Sequence, residues 1–177
     1  MPARSNLFGT RIRSPLSGPA GEPDQISYKR NRFSARFPAS YRYTRSHFWL
    51  SEATAGLWRI GLTTFATRML GDIVEFDFET SVGAPVGVAD VIGWVEGFKA
   101  VSDIFCVAEG SFAGPNPALA EDPATIGSKP YGDGWLYAVE GRPDPESVDV
   151  QGYVQHLDAT IDKMLEKPWQ TPGMGDS

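Results

Sequence analysis

The chain has 177 residues, with 16 Lys plus Arg against 22 Asp plus Glu and a formal net charge of −6. This length suits about one domain with a core of its own, and no apolar run approaches the ~20 residues that span a bilayer. We therefore expect a soluble protein with no membrane partner, and the acidic balance disfavours binding to nucleic acid through its phosphates.

Charge separates the N-terminal part of the chain from the rest. The first 45 residues hold nine basic and two acidic residues, whereas the remainder holds seven basic and 20 acidic residues. Residues 1–40 are predicted to be a basic, disordered extension. The alternative is a mitochondrial transit peptide, because the first 20 residues contain three Arg, three Ser and no acid. The first interpretation places the protein in the cytoplasm, and the second places it in the mitochondrial matrix.

The segment that begins at residue 41 is predicted to form strands interrupted by one short helix. Strands are predicted over Tyr41–Leu50 and Leu57–Leu62, joined by a turn at 51–56. Thr63 is a candidate N-cap and Gly71 a candidate stop for a helix between them. Period-two alternation predicts the next strand over 72–79.

A predicted hairpin then places Lys99 at its tip. Apolar residues mark strand-like runs over 87–98 and 104–107, with a short connection between them. A lysine at such a tip is exposed and far from any core. This geometry suits modification by an enzyme, although most exposed lysines are ordinary surface charges.

The rest of the chain is predicted to hold two more strands and a terminal helix. A short strand is expected after Gly110, and the last strand is expected over 134–140, after a loose helical turn in 118–128. From Asp149 onward, apolar residues recur at helical spacing until Pro168. This defines a domain over 41–167, followed by a flexible tail over 168–177.

The loop around Lys99 reads Glu96-Gly97-Phe98-Lys99-Ala100-Val101-Ser102-Asp103. It resembles the attachment loop of the glycine cleavage system H protein family, whose usual form is Glu-Ser-Val-Lys-Ala-x-Ser-Asp. The residues that match are Glu96, Lys99, Ala100, Ser102 and Asp103. Further blocks agree in order, namely Tyr43-Thr44 with His47 and Trp49, Gly61-Leu62-Thr63, Leu70 to Val74, Asn116 to Leu119, and Tyr131 to Leu136. The resemblance covers roughly residues 41–140. It implies a flattened antiparallel β-barrel or sandwich with a short internal helix and a C-terminal helix.

The resemblance also implies a function. It implies a non-catalytic carrier whose lipoate is joined to Lys99, passing the aminomethyl group of glycine between enzymes. The implied partners are a pyridoxal-phosphate glycine decarboxylase, a folate-dependent aminomethyltransferase, dihydrolipoyl dehydrogenase and the lipoyl-attaching enzyme. Glu96 and Asp103 would form an acidic handle beside the lysine, and Ser46, residue 48 and Asp103 would line the cleft that holds the arm.

One departure from the family pattern bears on the cargo. The family usually has His-Glu-Trp where this chain has His47-Phe48-Trp49, so a carboxylate expected to face the loaded arm is missing. Burying a charged amine without a hydrogen-bonding partner is unfavourable in free energy. A cation–π contact with Phe48 would stabilise the amine by only ~0.5–1 kcal/mol where exposed. Two alternatives therefore stay open, a lipoyl carrier for another pathway such as lipoate-dependent sulfur oxidation, and a binding module that is never lipoylated.

Overall fold

The structure, a computed structural model, describes residues 24–166. Its strands are β1 (Gln25–Arg30), β2 (Phe33–Pro38), β3 (Arg42–Tyr43), β4 (Phe48–Thr54), β5 (Leu57–Leu62), β6 (Ile73–Phe78), β7 (Pro85–Val86), β8 (Val91–Gly97), β9 (Val101–Phe105), β10 (Ala108–Pro115) and β11 (Tyr137–Pro143). The helices are α1 (Thr64–Leu70), α2 (Thr125–Ser128) and α3 (Val150–Glu166), with a 3-10 turn at Pro117–Ala120.

Two antiparallel sheets enclose the main core. One has the strand order β3-β4-β5-β11-β10-β7 and the other the order β6-β8-β9. Buried side chains of both sheets form one cluster, which includes Leu50, Ile60, Val95 and Ile104. The predicted mainly β fold with an internal and a C-terminal helix is confirmed, and it takes the sandwich form because the sheets do not close into a barrel.

The first predicted strand of this domain is interrupted. Thr44–His47 forms a turn in which the His47 N–H donates to the Thr44 carbonyl over 3.0 Å, and His47 has φ +71°. The single strand predicted over Tyr41–Leu50 is therefore wrong, because left-handed backbone cannot continue an extended strand. Beyond the interruption β4 runs on to Thr54, so the predicted turn at 51–56 shrinks to its last two residues.

Helix α1 begins and ends at the residues that the sequence predicts. The Thr63 hydroxyl accepts from the Ala66 N–H, and Gly71 ends the helix with φ +80°. Phe65 and Leu70 are buried on different sides of it, in two separate apolar clusters. The helix is thus held between the sandwich core and a second core.

The second core is built around α3 and an N-terminal hairpin. Strands β1 and β2 pair in register, with Tyr28 opposite Ala35. The segment 24–40 is therefore folded, and the prediction of disorder through residue 40 is wrong there. Alternating apolar side chains give the hairpin a face that packs with α3, and they outweigh its positive charge; these side chains are Ile26, Tyr28, Phe33, Ala35 and Phe37.

The termini of the chain lie outside the described residues, and with them the predictions for 1–23 and for the tail over 168–177. Within 24–166, no helix combines the length and apolarity needed to cross a membrane. The same residues contain no group of three or more His, Cys, Asp or Glu side chains placed to bind a metal.

Candidate functional site

Lys99 lies at the tip between β8 and β9, as the sequence predicts. The tip is closed by the Gly97 N–H, which donates to the Ala100 carbonyl over 2.9 Å. Phe98, Lys99 and Ala100 are exposed, and Phe98 has 79% of its surface accessible. The lysine is therefore open to a modifying enzyme and has an exposed aromatic ring beside it.

The tip is docked on the turn that follows α1. The Lys99 N–H donates to the Leu70 carbonyl over 2.8 Å, and the Phe98 N–H donates to the Asp72 carbonyl over 2.9 Å. The Lys99 ammonium also donates to the Arg68 carbonyl over 3.3 Å. Carbonyls at the C-terminus of a helix carry partial negative charge, so both the backbone and the side chain of Lys99 are oriented by the end of α1.

Two glycines make this close approach possible. A Cβ added at Gly97 would lie 2.2 Å from the Leu70 oxygen, and one at Gly71 would lie 2.9 Å from Cγ of Lys99. We expect from sequence that Gly97, which replaces the usual family Ser, loosens the tip. In the structure Gly97 instead allows the tip to sit against the Leu70–Gly71 backbone.

A cavity of about 860 Å³ lies beside Lys99. Residues of α1 and the following turn form one wall, and the segment around α2 forms the other; the lining residues include Thr64, Thr67, Arg68, Gly71, Ile73, Phe98, Lys99, Ala124, Gly127, Ser128 and Pro130. The lysine side chain runs across Gly71, which is part of this lining. A group attached to Lys99 would therefore start at the edge of the cavity.

Phe48 does not fit its predicted place in the arm cleft. Its side chain is 2% exposed and belongs to the main core, because β4 places it opposite Leu62 on the buried face. A side chain enclosed in this way cannot face an arm carried by Lys99, and the prediction for Phe48 is corrected. Ser46 is exposed and its hydroxyl lies 2.9 Å from that of Thr44. Ser46 is outside the cavity lining, so its role remains a prediction.

Glu96 and Asp103 lie on the outer face of the three-stranded sheet. Glu96 pairs with Glu75 on one side, and Trp94 pairs with Asp77 on one side and with Asp103 on the other. Registered neighbours share a face, so four carboxylates surround the half-buried Trp94. This acidic face, defined by Glu75, Asp77, Glu96 and Asp103, lies next to the lysine tip but not in the cavity.

His47 is half-buried and contacts Phe65 and Tyr153 of the second core. Its Nδ1 lies 2.8 Å from the Tyr153 hydroxyl, which also lies 2.8 Å from the Thr63 hydroxyl at the start of α1. Burial, with a smaller contribution from the charge of His156, lowers the pKa of His47 to about 4. His47 is therefore neutral near pH 7 and links the β3–β4 turn to α1 and α3.

Sequence reasoning missed the main-chain partners of Lys99 and the cavity wall around α2. The Arg68 and Leu70 carbonyls are backbone groups that any residue supplies, so no side-chain pattern identifies them. The block from Leu70 to Asp72 carried the available signal, because a glycine after a helix permits close approach of another segment.

An exposed lysine on a docked hairpin tip, beside a cavity and on an antiparallel sandwich, is the arrangement expected of a carrier domain. Comparison with known proteins specifies the family. A family model described as "Glycine cleavage H-protein" matches residues 41–160. The chain belongs to the glycine cleavage H-protein family.

Individual relatives agree with this assignment. The glycine cleavage system H protein of Salmonella arizonae is 35% identical over 109 residues, which cover 62% of this chain and 84% of the relative. The glycine cleavage system H protein of Micrococcus luteus is 36% identical over 123 residues, which cover 67% of this chain and 95% of the relative. The crystal structure of the Mycobacterium marinum H protein matches with a TM-score of 0.62 and 34% identity, covering 69% of this chain and 99% of its own.

Proposed function

We propose that this protein is the lipoyl carrier of the glycine cleavage system and that Lys99 is its attachment site. The observation that carries the proposal is the docked tip, where Lys99 is exposed yet held by the Arg68 and Leu70 carbonyls. The lipoyl group, when bound, would supply a disulfide on a long tether, which is reduced as it takes up the aminomethyl group and which, as the dithiol left after transfer, gives two electrons to dihydrolipoyl dehydrogenase.

The residues around Lys99 suit an amide-linked arm. An acylated lysine keeps one N–H, and the Arg68 carbonyl already accepts from this nitrogen over 3.3 Å. Gly71 leaves room for the lysine stem, since a Cβ there would lie 2.9 Å from it. Beyond the stem, Ile73 and Pro130 offer apolar cavity wall, and Ser128 offers a hydroxyl.

The partners in this proposal are the pyridoxal-phosphate decarboxylase, the folate-dependent aminomethyltransferase, dihydrolipoyl dehydrogenase and the lipoyl-attaching enzyme. The acidic face supports docking on basic surfaces of these enzymes, because complementary charge steers encounter. Glu96 and Asp103 keep their proposed role as an acidic handle on this face. A cytoplasmic location is part of the same proposal.

The alternative function, a lipoyl carrier for a pathway other than glycine cleavage, is no longer supported by Phe48. It depended on Phe48 facing the loaded arm in place of a carboxylate, and Phe48 is buried in the core. Phe48 therefore favours neither pathway. The glycine cleavage system is favoured because the relatives named above carry that description.

The first test is intact mass and peptide mapping of the protein purified from its native cells. We expect a lipoyl-sized increment on Lys99, and no increment on a Lys99→Arg variant expressed in the same cells. An unmodified Lys99 in cells whose other lipoyl proteins are loaded would contradict the proposal and favour a binding module. Glycine–bicarbonate exchange with purified glycine decarboxylase then separates glycine cleavage from another lipoyl pathway.

A further inference from the structure

The β1–β2 hairpin lies outside the family match, which begins at residue 41. It is nevertheless integrated with the domain, since Tyr28 is 8% exposed and Phe37 is fully buried in the second core. A segment with this much buried aromatic surface is anchored to the elements beneath it. Those elements are α3 and α1.

Besides its apolar packing, the hairpin makes polar contacts with α3 that fix its position. The Arg30 guanidinium donates to both Asp162 oxygens over 3.0 and 2.8 Å, and the Tyr28 hydroxyl donates to Asp158 over 2.7 Å. Exposed ion pairs add little stability, but a bidentate arginine pair restricts geometry. The hairpin is therefore held in one register along α3.

Attachment to α1 is made by one aromatic side chain, Phe33. Its ring meets the Phe65 ring edge-on, with centroids 5.5 Å apart at 79°, and the Arg68 guanidinium lies 5.0 Å from the centre of the Phe33 ring. Phe65 and Arg68 are three residues apart on α1, so they are neighbours on one face of the helix. Phe33 thus contacts both the first and the last turn of this short helix.

The same last turn holds the carrier lysine. The Arg68 side chain stacks on Phe33, whereas the Arg68 carbonyl accepts from the Lys99 ammonium over 3.3 Å and the Leu70 carbonyl accepts from the Lys99 N–H over 2.8 Å. A helix of seven residues is too short to be stable alone, so its end depends on tertiary contacts. The contacts of Phe33 and of Lys99 are therefore linked through one helical turn.

We propose that the β1–β2 hairpin is a positioning element for Lys99, with Phe33 as the positioning residue that holds the end of α1 against the lysine tip. The consequence for modification rests on the proposed function of Lys99, whereas the effect on the tip itself does not. Losing the ring of Phe33 loosens the last turn of α1 and lowers the fraction of molecules with a docked tip. An attaching enzyme that recognises the docked tip then binds more weakly, which raises KM and leaves kcat unchanged.

Hydrogen exchange on the full-length protein tests the structural part. In Phe33→Ala we expect the amides of Lys99 and Phe98 to exchange roughly tenfold faster, because the Leu70 carbonyl lies on the loosened turn and the Asp72 carbonyl lies two residues beyond it. The Leu136 amide, which lies just before β11 and donates to the Ile60 carbonyl of β5 over 2.8 Å, should keep its rate. Phe33→Tyr keeps the ring and should restore protection, and Ser34→Ala, an exposed neighbour on the same strand, should match the wild type.

Lipoylation kinetics with purified lipoate–protein ligase, lipoate and ATP test the functional part. We expect KM for Phe33→Ala to rise at least about twofold with kcat unchanged, and Phe33→Tyr to restore it. If the tip amides or KM of Phe33→Ala match those of Ser34→Ala, the inference is overturned. Equal acceleration of the Leu136 amide overturns it as well, because the hairpin would then support only global stability. A wild-type protein that is not lipoylated refutes the proposed function, while the exchange data still decide the role of Phe33.

Discussion

At the residue scale, Gly97 controls how closely the lysine tip approaches α1. Replacement by the usual family residue, Gly97→Ser, places a Cβ 2.2 Å from the Leu70 oxygen. The backbone must move, which we expect to cost about 1–3 kcal/mol of unfolding free energy. Urea unfolding measures this loss. Gly127→Ser is the matched control, since a Cβ there meets nothing within 4 Å. Equal urea midpoints for the two variants would contradict the close docking of the tip.

His47 should make the protein sensitive to mild acid. Its pKa is lowered to about 4 in the folded state, against about 6.5 in the unfolded chain. Between these pH values only the unfolded state binds the proton. The contribution of neutral His47 to the free energy of unfolding is therefore fully present above pH 6.5 and decreases as the pH drops towards 4. The loss is at most about 3 kcal/mol. His47→Asn accepts the left-handed backbone without titrating, and its urea unfolding should be less pH-dependent between pH 7 and 4. An identical pH profile for both proteins would refute the buried neutral state.

Particular residues show which of these features the sequence could predict. Thr63, Gly71 and the tip at Lys99 act through local chemistry, namely capping, glycine geometry and hairpin spacing, and their predictions hold. Phe48 could not be placed from its strand alone, because alternation does not identify which face of a strand meets the core. The carbonyls that hold Lys99 depend on tertiary approach of backbone segments, which side-chain patterns do not report.

At the element scale, the N-terminal hairpin shows how charge can hide a strand signal. Nine basic residues in the first 45 indicate disorder, yet apolar side chains alternate at period two through β1 and β2. The arginines and lysine project away from the second core or pair with α3, as Arg30 does with Asp162. Pattern is more informative than composition here, because only the face that packs needs to be apolar.

Tyr137 of strand β11 forms hydrogen bonds with the end of β9 and the connection that follows it. Its buried hydroxyl donates to the Phe105 carbonyl over 2.8 Å and accepts from the Val107 N–H over 3.1 Å. Tyr137→Phe leaves a buried donor and a buried acceptor without this partner, which costs about 1–3 kcal/mol. Urea unfolding should show a lower midpoint with an unchanged m-value. An unchanged midpoint would mean that these two backbone groups find other partners.

At the scale of the whole molecule, the acidic face and the proposed attachment site lie on the same sheet. The first 45 residues carry most of the positive charge, and the remainder of the chain is strongly acidic. The acidic face lies on the sheet whose hairpin presents Lys99, and none of its four carboxylates is in an ion pair within residues 24–166. The side of the domain that presents the lysine is therefore the side that attracts basic surfaces.

This arrangement predicts that one charge reversal on the acidic face slows encounter with glycine decarboxylase, one of the proposed partners. Asp77→Lys places a cation beside Trp94 and should lower the association rate roughly threefold to tenfold at low ionic strength. The difference should shrink near physiological salt, where the screening length is about 8 Å. Stopped-flow association of the lipoylated proteins measures both effects. Glu121→Lys changes the net charge equally at an exposed position outside this sheet and should keep the wild-type rate. Equal slowing by both variants would show that net charge, and not the face around Trp94, steers the encounter.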